Sequence, residues 1–186
     1  MADSKLEGLF ETIKGELSTD EERQGLQAVK NGNDQWTVPS ELLQEEGGLP
    51  NENIAALIKE LSVPQKIKLA LFGNRLARAL LIRDTNRQIP LFVLQNGRVT
   101  DDEILEFANN TNLDASIFRE IAENRSWMRS YALKVALVGN PKVPVGASLR
   151  LINYLQDKDL RRFGKSKNIS QVIATECRKI LERRGH

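Results

Sequence analysis

The sequence predicts an all-α fold, arranged as a solenoid of helical hairpins with a helical capping segment at its N-terminus. One sequence segment with the same apolar spacing occurs three times, starting at Val63-Pro64, at Val99-Thr100 and at Val143-Pro144. A second repeated segment follows each copy. Its copies begin at Arg78, Arg119 and Arg161, which lie 41 and 42 residues apart (119 minus 78, 161 minus 119). A period near 40 residues is typical of solenoid units of two or three helices.

Each copy of the first segment has the pattern of a helix start. Proline is tolerated in the first turn of a helix, and threonine is a good N-cap. Thr100 is also followed three residues later by Glu103, which is the spacing of a capping box. Because the apolar residues behind each start fall on one helical face, we predict a helix after each copy.

Further helices are predicted between and after these copies. Residues 125–138 predict a helix that stops at Gly139-Asn140-Pro141, and residues 89–94 a shorter one that stops at Asn96-Gly97. A buried strand is the alternative for 89–94, but its internal proline favours a helix. The last helix, about 169–184, carries an apolar stripe that includes Cys177, and we expect it to close the stack with that cysteine in the core.

The net charge of the chain changes from negative to positive near residue 62. Residues 1–62 carry 5 Lys+Arg against 13 Asp+Glu, a net charge of −8, whereas residues 63–186 carry 22 against 12, a net charge of +10. We therefore predict an acidic N-terminal helical segment (1–62), acting as a cap or a degenerate repeat, and a basic repeat array (63–186). The first amphipathic helix, residues 6–17, is predicted either to cap the end of the stack or to dock on another protein or a second copy.

Residues 63–186 resemble HEAT-like (armadillo-type) α-helical repeats and, more narrowly, a family of uncharacterised bacterial helical-repeat proteins. The residues that carry the narrower resemblance are Gly73-Asn74-Arg75, Leu81 to Asn86, Val138 to Pro144 and Lys165 to Asn168. The resemblance implies an all-α solenoid with no established activity. It also implies that Arg78, Arg119 and Arg161 form a ladder, in which the arginine of one unit contacts the next unit. Certain alkylpurine DNA glycosylases are built from similar repeats, so it also implies DNA repair as an enzymatic alternative.

The residues that usually carry catalysis are scarce. The only histidine is His186, Cys177 is the only cysteine, and no glycine-rich phosphate loop occurs. Asp101-Asp102-Glu103 is best interpreted as negative charge at a helix N-terminus. We predict no catalytic residues, no metal, no cofactor and no small-molecule substrate. Without an apolar run of 18 residues or an apolar signal core, we expect no membrane association and a cytoplasmic location.

Positive charge recurs at the predicted turns, and such turns line up along one edge of a solenoid. We therefore predict a non-catalytic interaction module, a scaffold or adaptor that presents a basic edge to an acidic protein partner. The candidate contacts are Arg75, Arg78, Arg87, Arg125, Lys142, Arg161, Lys165 and Lys167. Two alternatives stay open: these cations are only solvated surface or a structural ladder, or the protein binds nucleic acid.

Overall fold

The structure is a computed structural model that describes residues 20, 23–24, 27, 38–44 and 51–185. The described residues hold ten α-helices, two 3-10 helices and no strand, which confirms the all-α prediction. The α-helices are α1 (Asn51–Glu60), α2 (Val63–Phe72), α3 (Arg75–Leu81), α4 (Gln88–Gln95), α5 (Asp101–Asn109), α6 (Ala115–Glu123), α7 (Tyr131–Gly139), α8 (Val145–Ile152), α9 (Asp157–Lys165) and α10 (Gln171–Arg184). The predicted first amphipathic helix lies outside the described residues.

The chain divides into two compact units, Met1–Val99 and Thr100–His186. In the first unit α1 packs on α3, while α2 packs on both α3 and α4. In the second unit α5 packs on α7, α7 on α8, and α10 on both α8 and α9. A solenoid arrangement of these helices and a boundary at residue 62 both stay predictions.

The predicted helix starts are confirmed. α2 begins at Val63 with Pro64 in its first turn, and the Gln65 side chain accepts a hydrogen bond from the Ser62 N–H at 2.9 Å. At α5 the Thr100 hydroxyl accepts from the Glu103 N–H at 3.3 Å, and the Glu103 carboxylate accepts from the Thr100 N–H at 3.1 Å. These contacts satisfy N–H groups that a helix leaves without partners in its first turn.

The helix predicted over residues 125–138 is wrong in its extent. The structure has a 3-10 helix at Trp127–Arg129 and starts α7 only at Tyr131. Ser130 separates the two, because its backbone is extended and its hydroxyl accepts a hydrogen bond from the Leu133 N–H at 3.3 Å. A serine that caps a new helix in this way cannot also continue the previous one.

The helices predicted over 89–94 and at about 169–184 are both present in the structure. Residues 89–94 form most of α4, so the strand alternative is wrong there. α10 confirms the last helix and buries Cys177, whose thiol pKa is raised because burial disfavours the thiolate. Within the N-terminal segment predicted to be helical (1–62), Ser40–Leu42 forms a short 3-10 helix.

Asn96, directly after α4, holds the end of α4 against the end of α2. Its side-chain amide donates to the Ala70 carbonyl at 2.9 Å and to the Gly73 carbonyl at 3.2 Å, both at the C-terminus of α2. Its side-chain oxygen accepts from the Arg98 N–H at 2.9 Å. Because α2 and α4 pack together and their C-termini meet, the two helices run in the same direction.

The same contact recurs twice in the second unit. Asn140, after α7, donates to the Ala108 carbonyl at 2.8 Å and to the Asn110 carbonyl at 3.0 Å, at the end of α5. Arg184, in the last turn of α10, donates to the Asn153 carbonyl at 2.7 Å and to the Leu155 carbonyl at 2.8 Å, just after α8. Asn96, Asn140 and Arg184 lie 44 residues apart (140 minus 96, 184 minus 140).

These side chains supply hydrogen-bond donors to the C-terminal carbonyls of helices that run side by side in the same direction. The last four carbonyls of a helix have no intrahelical partner, and two adjacent C-termini place partial negative charges next to each other. Asn96 and Asn140 are each 5% exposed, so their donors reach carbonyls to which water has little access. Each pair of ends is therefore closed by side-chain donors from the second helix of the pair.

Replacing Asn140 with alanine removes one buried and one partly buried hydrogen bond and leaves the Ala108 and Asn110 carbonyls without this donor. We expect Asn140→Ala to lower the free energy of unfolding by about 2 kcal/mol, because unsatisfied buried polar groups are costly. Asn153→Ala is the matched control, since Asn153 is exposed and has a helical backbone, and it should change stability by less than about 0.5 kcal/mol. Urea unfolding followed by circular dichroism measures both, and equal effects would contradict the assigned role of Asn140.

Candidate functional site

The solvent face of α9 carries a row of four cations. Lys158, Arg161, Arg162 and Lys165 are all exposed and stand at positions i, i+3, i+4 and i+7, which places them on one side of the helix. The opposite side buries Leu160, Phe163 and Gly164. We call the four cations the cationic ridge.

Close packing against α10 fixes α9 in this orientation. A Cβ atom built on Gly164 would lie 3.1 Å from the Arg178 Cγ, which is tighter than an ordinary contact. The Arg178 guanidinium in turn donates to the Gly164 carbonyl at 3.0 Å. Glycine at this position lets the two helices approach, so the apolar side of α9 turns inward and the ridge faces solvent.

An open groove of about 520 Å³ runs beside the ridge, between α5, α7 and α9. The apolar part of its lining includes Ala132, Val135 and Ala136 of α7 and the ring of Phe163. Lys158 and Arg162 of the ridge line one wall. The full lining is Leu105, Asn109, Thr111, Tyr131, Ala132, Val135, Ala136, Gly139, Asn140, Lys158, Asp159, Arg162 and Phe163.

A hydrogen-bonded group ties α7 to α9 at this wall. The Tyr131 hydroxyl donates to Asp159 Oδ2 at 2.5 Å and accepts from the Gln156 N–H at 3.0 Å. The other carboxylate oxygen of Asp159 lies 3.2 Å from Arg162 Nη2. Asp159 is 7% exposed, so its negative charge is already compensated by two partners before any ligand arrives.

The ionisation of Tyr131 is shifted by this arrangement. Partial burial raises the pKa of the Tyr131 hydroxyl above 10.0, and its hydrogen bond to the Asp159 carboxylate raises the pKa further. The Gln156 N–H acts in the opposite direction, because it donates to the phenolic oxygen. Tyr131 therefore keeps its proton, and with it the bond to Asp159.

Arg162 is held in place from two sides. Besides its contact with Asp159, its guanidinium carbon lies 4.7 Å from the centre of the Phe163 ring. A Cβ atom on Gly139 would lie 3.3 Å from that same ring, so the end of α7 comes close to Phe163. The guanidinium is thus positioned at the rim of the groove while its side chain stays largely exposed.

Charge is distributed unevenly over residues 100–186. Residues 100–123 carry 1 Lys+Arg against 7 Asp+Glu, a net charge of −6, whereas residues 124–186 carry 14 against 4, a net charge of +10. Three of those four acids already have partners: Asp157 pairs with Arg184, Asp159 with Arg162, and Glu176 with Arg183. The positive excess therefore belongs to α7–α10 and the loops between them.

Eight exposed cations in this region have side chains without an ion-pair or hydrogen-bond partner among the residues that the structure describes. They are Arg125, Arg129, Lys142, Arg150, Lys158, Arg161, Lys165 and Lys167. Five of the candidate contacts predicted from the sequence are among them, and Arg161 and Lys165 share the ridge. We call this set the open cations.

The remaining three predicted contacts lie in the first unit. Arg75 and Arg87 are exposed, and their role stays a prediction. Arg78 is 1% exposed and donates to the Gly73 carbonyl at 2.9 Å, at the end of α2. Arg78 is therefore not accessible to a partner in this structure, and it serves the packing of the first unit.

The ladder implied by the resemblance is not formed as expected, because Arg119 and Arg161 are exposed where Arg78 is buried. Sequence reasoning also missed Lys158 and Arg162, the two ridge residues that line the groove. Their i, i+4 spacing, continued by Arg161 and Lys165, was the available signal.

Neither a cluster of metal-ligating side chains nor a membrane-spanning helix occurs in the described part of the chain. Among residues 20, 23–24, 27, 38–44 and 51–185, no group of three or more histidine, cysteine or acidic side chains is placed to hold a metal ion. None of the described helices combines the length and the hydropathy that crossing a bilayer requires.

The Tyr131→Phe variant tests the hydrogen-bonded group. We expect it to lower stability by about 1.5 kcal/mol at neutral pH, since the bond it removes goes to a charged carboxylate. A raised pKa in the folded state stabilises the protein below pH 10 and loses that effect as the pH rises through the folded pKa. The tyrosinate absorbance of the wild type minus that of the variant should therefore titrate with a midpoint above 10.0. A midpoint at or below this value would contradict the assignment.

A scan against protein-family models, a search of curated proteins and a search of solved structures each find no match to this chain. The resemblance to HEAT-like repeats therefore stays a prediction from the residues. The part of the chain that the structure describes is all-helical, and no family is identified for it.

Proposed function

We propose that this protein is a non-catalytic interaction module, a scaffold or adaptor that binds an acidic protein partner. The observation that carries the proposal is the set of open cations in residues 124–186, a stretch with a net charge of +10. Exposed like charges without counter-charges repel one another, and an acidic partner relieves that repulsion. Charge complementarity of this kind speeds encounter and rejects cationic competitors.

The proposed scaffold is a HEAT-like solenoid of helical hairpins. Its support is the contact made by Asn96, Asn140 and Arg184, which recurs every 44 residues (140 minus 96, 184 minus 140). In each case the donor closes the ends of two helices that run in the same direction. Units that repeat in this way are typical of solenoids, whose stacked helices offer extended binding surfaces.

Nucleic-acid binding, including DNA repair, is the second candidate. Tyr154 favours it, because this residue is 69% exposed and the Lys134 Nζ lies 5.5 Å from the centre of its ring. Single-stranded nucleic acids bind to aromatic rings next to cations. We rank this candidate lower because the groove beside the ridge also presents apolar side chains such as Leu105 and Val135, which phosphates do not need.

A charge-reversal variant tests the proposed function. We expect Lys142→Glu/Arg161→Glu/Lys165→Glu to weaken binding to a polyglutamate peptide at least tenfold, because three open cations become acidic. The control Lys59→Glu/Arg83→Glu/Arg119→Glu makes the same change of net charge at exposed cations outside residues 124–186 and should retain most of the affinity. Fluorescence anisotropy at two salt concentrations measures both variants.

Stability and DNA binding decide between the alternatives. Because the three residues are exposed and unpaired within the described structure, their reversal should change the free energy of unfolding by less than about 0.5 kcal/mol. A larger loss would assign them to a structural ladder. A mobility shift of random duplex DNA that falls steeply with salt, without polyglutamate binding, would favour the nucleic-acid candidate.

A further inference from the structure

The groove between α5, α7 and α9 combines two surfaces that a single ligand would have to match. Part of its lining is apolar and includes Leu105 of α5 and Ala132, Val135 and Ala136 of α7. Its wall on α9 carries Lys158 and Arg162 of the cationic ridge. A ligand that fills it needs an apolar side and, beside it, a row of negative charges.

We propose that this groove binds an acidic amphipathic helix of a partner protein, with the helix lying along α7 and its acidic side along the cationic ridge. The inference rests on the proposed function and names the form of its partner. Helices that dock in grooves do so through apolar residues at positions i, i+3, i+4 and i+7. The ridge has the same spacing, so acidic residues one turn apart on the partner would face cations one turn apart on α9.

The dimensions agree with such a ligand. Lys158 and Lys165 stand seven residues apart, so the ridge extends for about 10 Å, or two helical turns. Two turns of a partner helix therefore suffice to face the whole ridge.

An extended peptide would fit this groove less well. Extended peptides gain their affinity by adding a strand to the free edge of a sheet, and the described residues contain no strand. The backbone groups of α5, α7 and α9 are already bonded within their own helices. These helices can therefore bind a ligand only through their side chains. A partner helix suits them because its rows of side chains pack between the rows of side chains on the groove helices.

Asp159 does not oppose an acidic ligand. Its carboxylate is buried and bonded to both Tyr131 and Arg162, so its charge is compensated inside the wall. The same contact and the Phe163 ring hold the Arg162 guanidinium at the rim. Arg162 is thus held in one orientation, which lowers the entropy lost when its remaining N–H groups bond to a ligand. The uncompensated positive charge of the ridge comes from Lys158, Arg161 and Lys165.

Two peptides of the same composition separate this inference from the proposed function. One is an acidic amphipathic helix of about 18 residues, long enough to form a stable helix when bound, with leucines on one side and glutamates on the other. The second has the same residues in scrambled order. We expect the full chain to bind the amphipathic peptide at least tenfold more tightly than the scrambled one, as measured by fluorescence anisotropy.

Ala132→Arg tests where the amphipathic peptide lies. Ala132 is exposed and lines the groove, so an arginine at this position blocks the groove and also adds a positive charge. Attraction by charge alone would make this variant bind more tightly, whereas an occupied groove predicts the loss of the tenfold preference. Ala115→Arg is the matched control, because it adds the same charge at an exposed alanine of α6 outside the groove, and it should keep the preference.

The outcomes distinguish the two proposals. Equal binding of both peptides, or a preference that survives Ala132→Arg, would overturn the groove and leave the acidic-partner function in place. Failure of both peptides to bind would overturn both proposals. Displacement of the amphipathic peptide by random duplex DNA at equal concentration and moderate salt would show that phosphates compete for the ridge, and it would also overturn the proposed ligand.

Discussion

The described structure depends on how the C-termini of neighbouring helices are satisfied. Helices that run in the same direction bring their C-terminal carbonyls together, where partial negative charges repel and hydrogen-bond partners are missing. Asn96, Asn140 and Arg184 each place side-chain donors on those carbonyls. The contact fixes where one helix ends against another, and the packing of apolar faces follows from that register.

The candidate site is a consequence of the same packing. Asn140 closes the ends of α5 and α7 and also lines the groove, so the contact that orders the helices shapes the binding surface. Gly139 lets the end of α7 approach the Phe163 ring, and the bond between Tyr131 and Asp159 joins α7 to α9 at the other end. With its buried face fixed on α10, α9 has only one side left for cations, which is why the ridge is continuous.

Much of the fold follows from local chemistry that a sequence displays. Pro64 and the Thr100–Glu103 capping box mark helix starts, and Asn96-Gly97 and Asn140-Pro141 mark helix ends. These signals act within a few residues, so they predict elements well. The break at Ser130 was missed because serine is common both inside helices and at their caps, and only the structure shows which N–H its hydroxyl meets. The partners of Asn96 and Asn140 lie 26 and 32 residues away, beyond the reach of local patterns.

The candidate site was predicted less completely than the fold. An arginine carries the same charge wherever it stands, so the sequence could not tell the buried Arg78 from the exposed Arg161. The pairing of Tyr131 with Asp159 depends on how α9 docks, although the two residues are only 28 positions apart. By contrast, Lys158 and Arg162 share a helical face with Arg161 and Lys165, and that spacing was open to sequence reasoning.

The central claim is that side-chain amides close the ends of helices that run side by side. Hydrogen exchange of asparagine side-chain amides, followed by NMR, measures this contact directly. The account predicts that the amides of Asn96 and Asn140 exchange about a hundredfold more slowly than the amide of the exposed Asn153. Equal exchange rates at all three residues would contradict it.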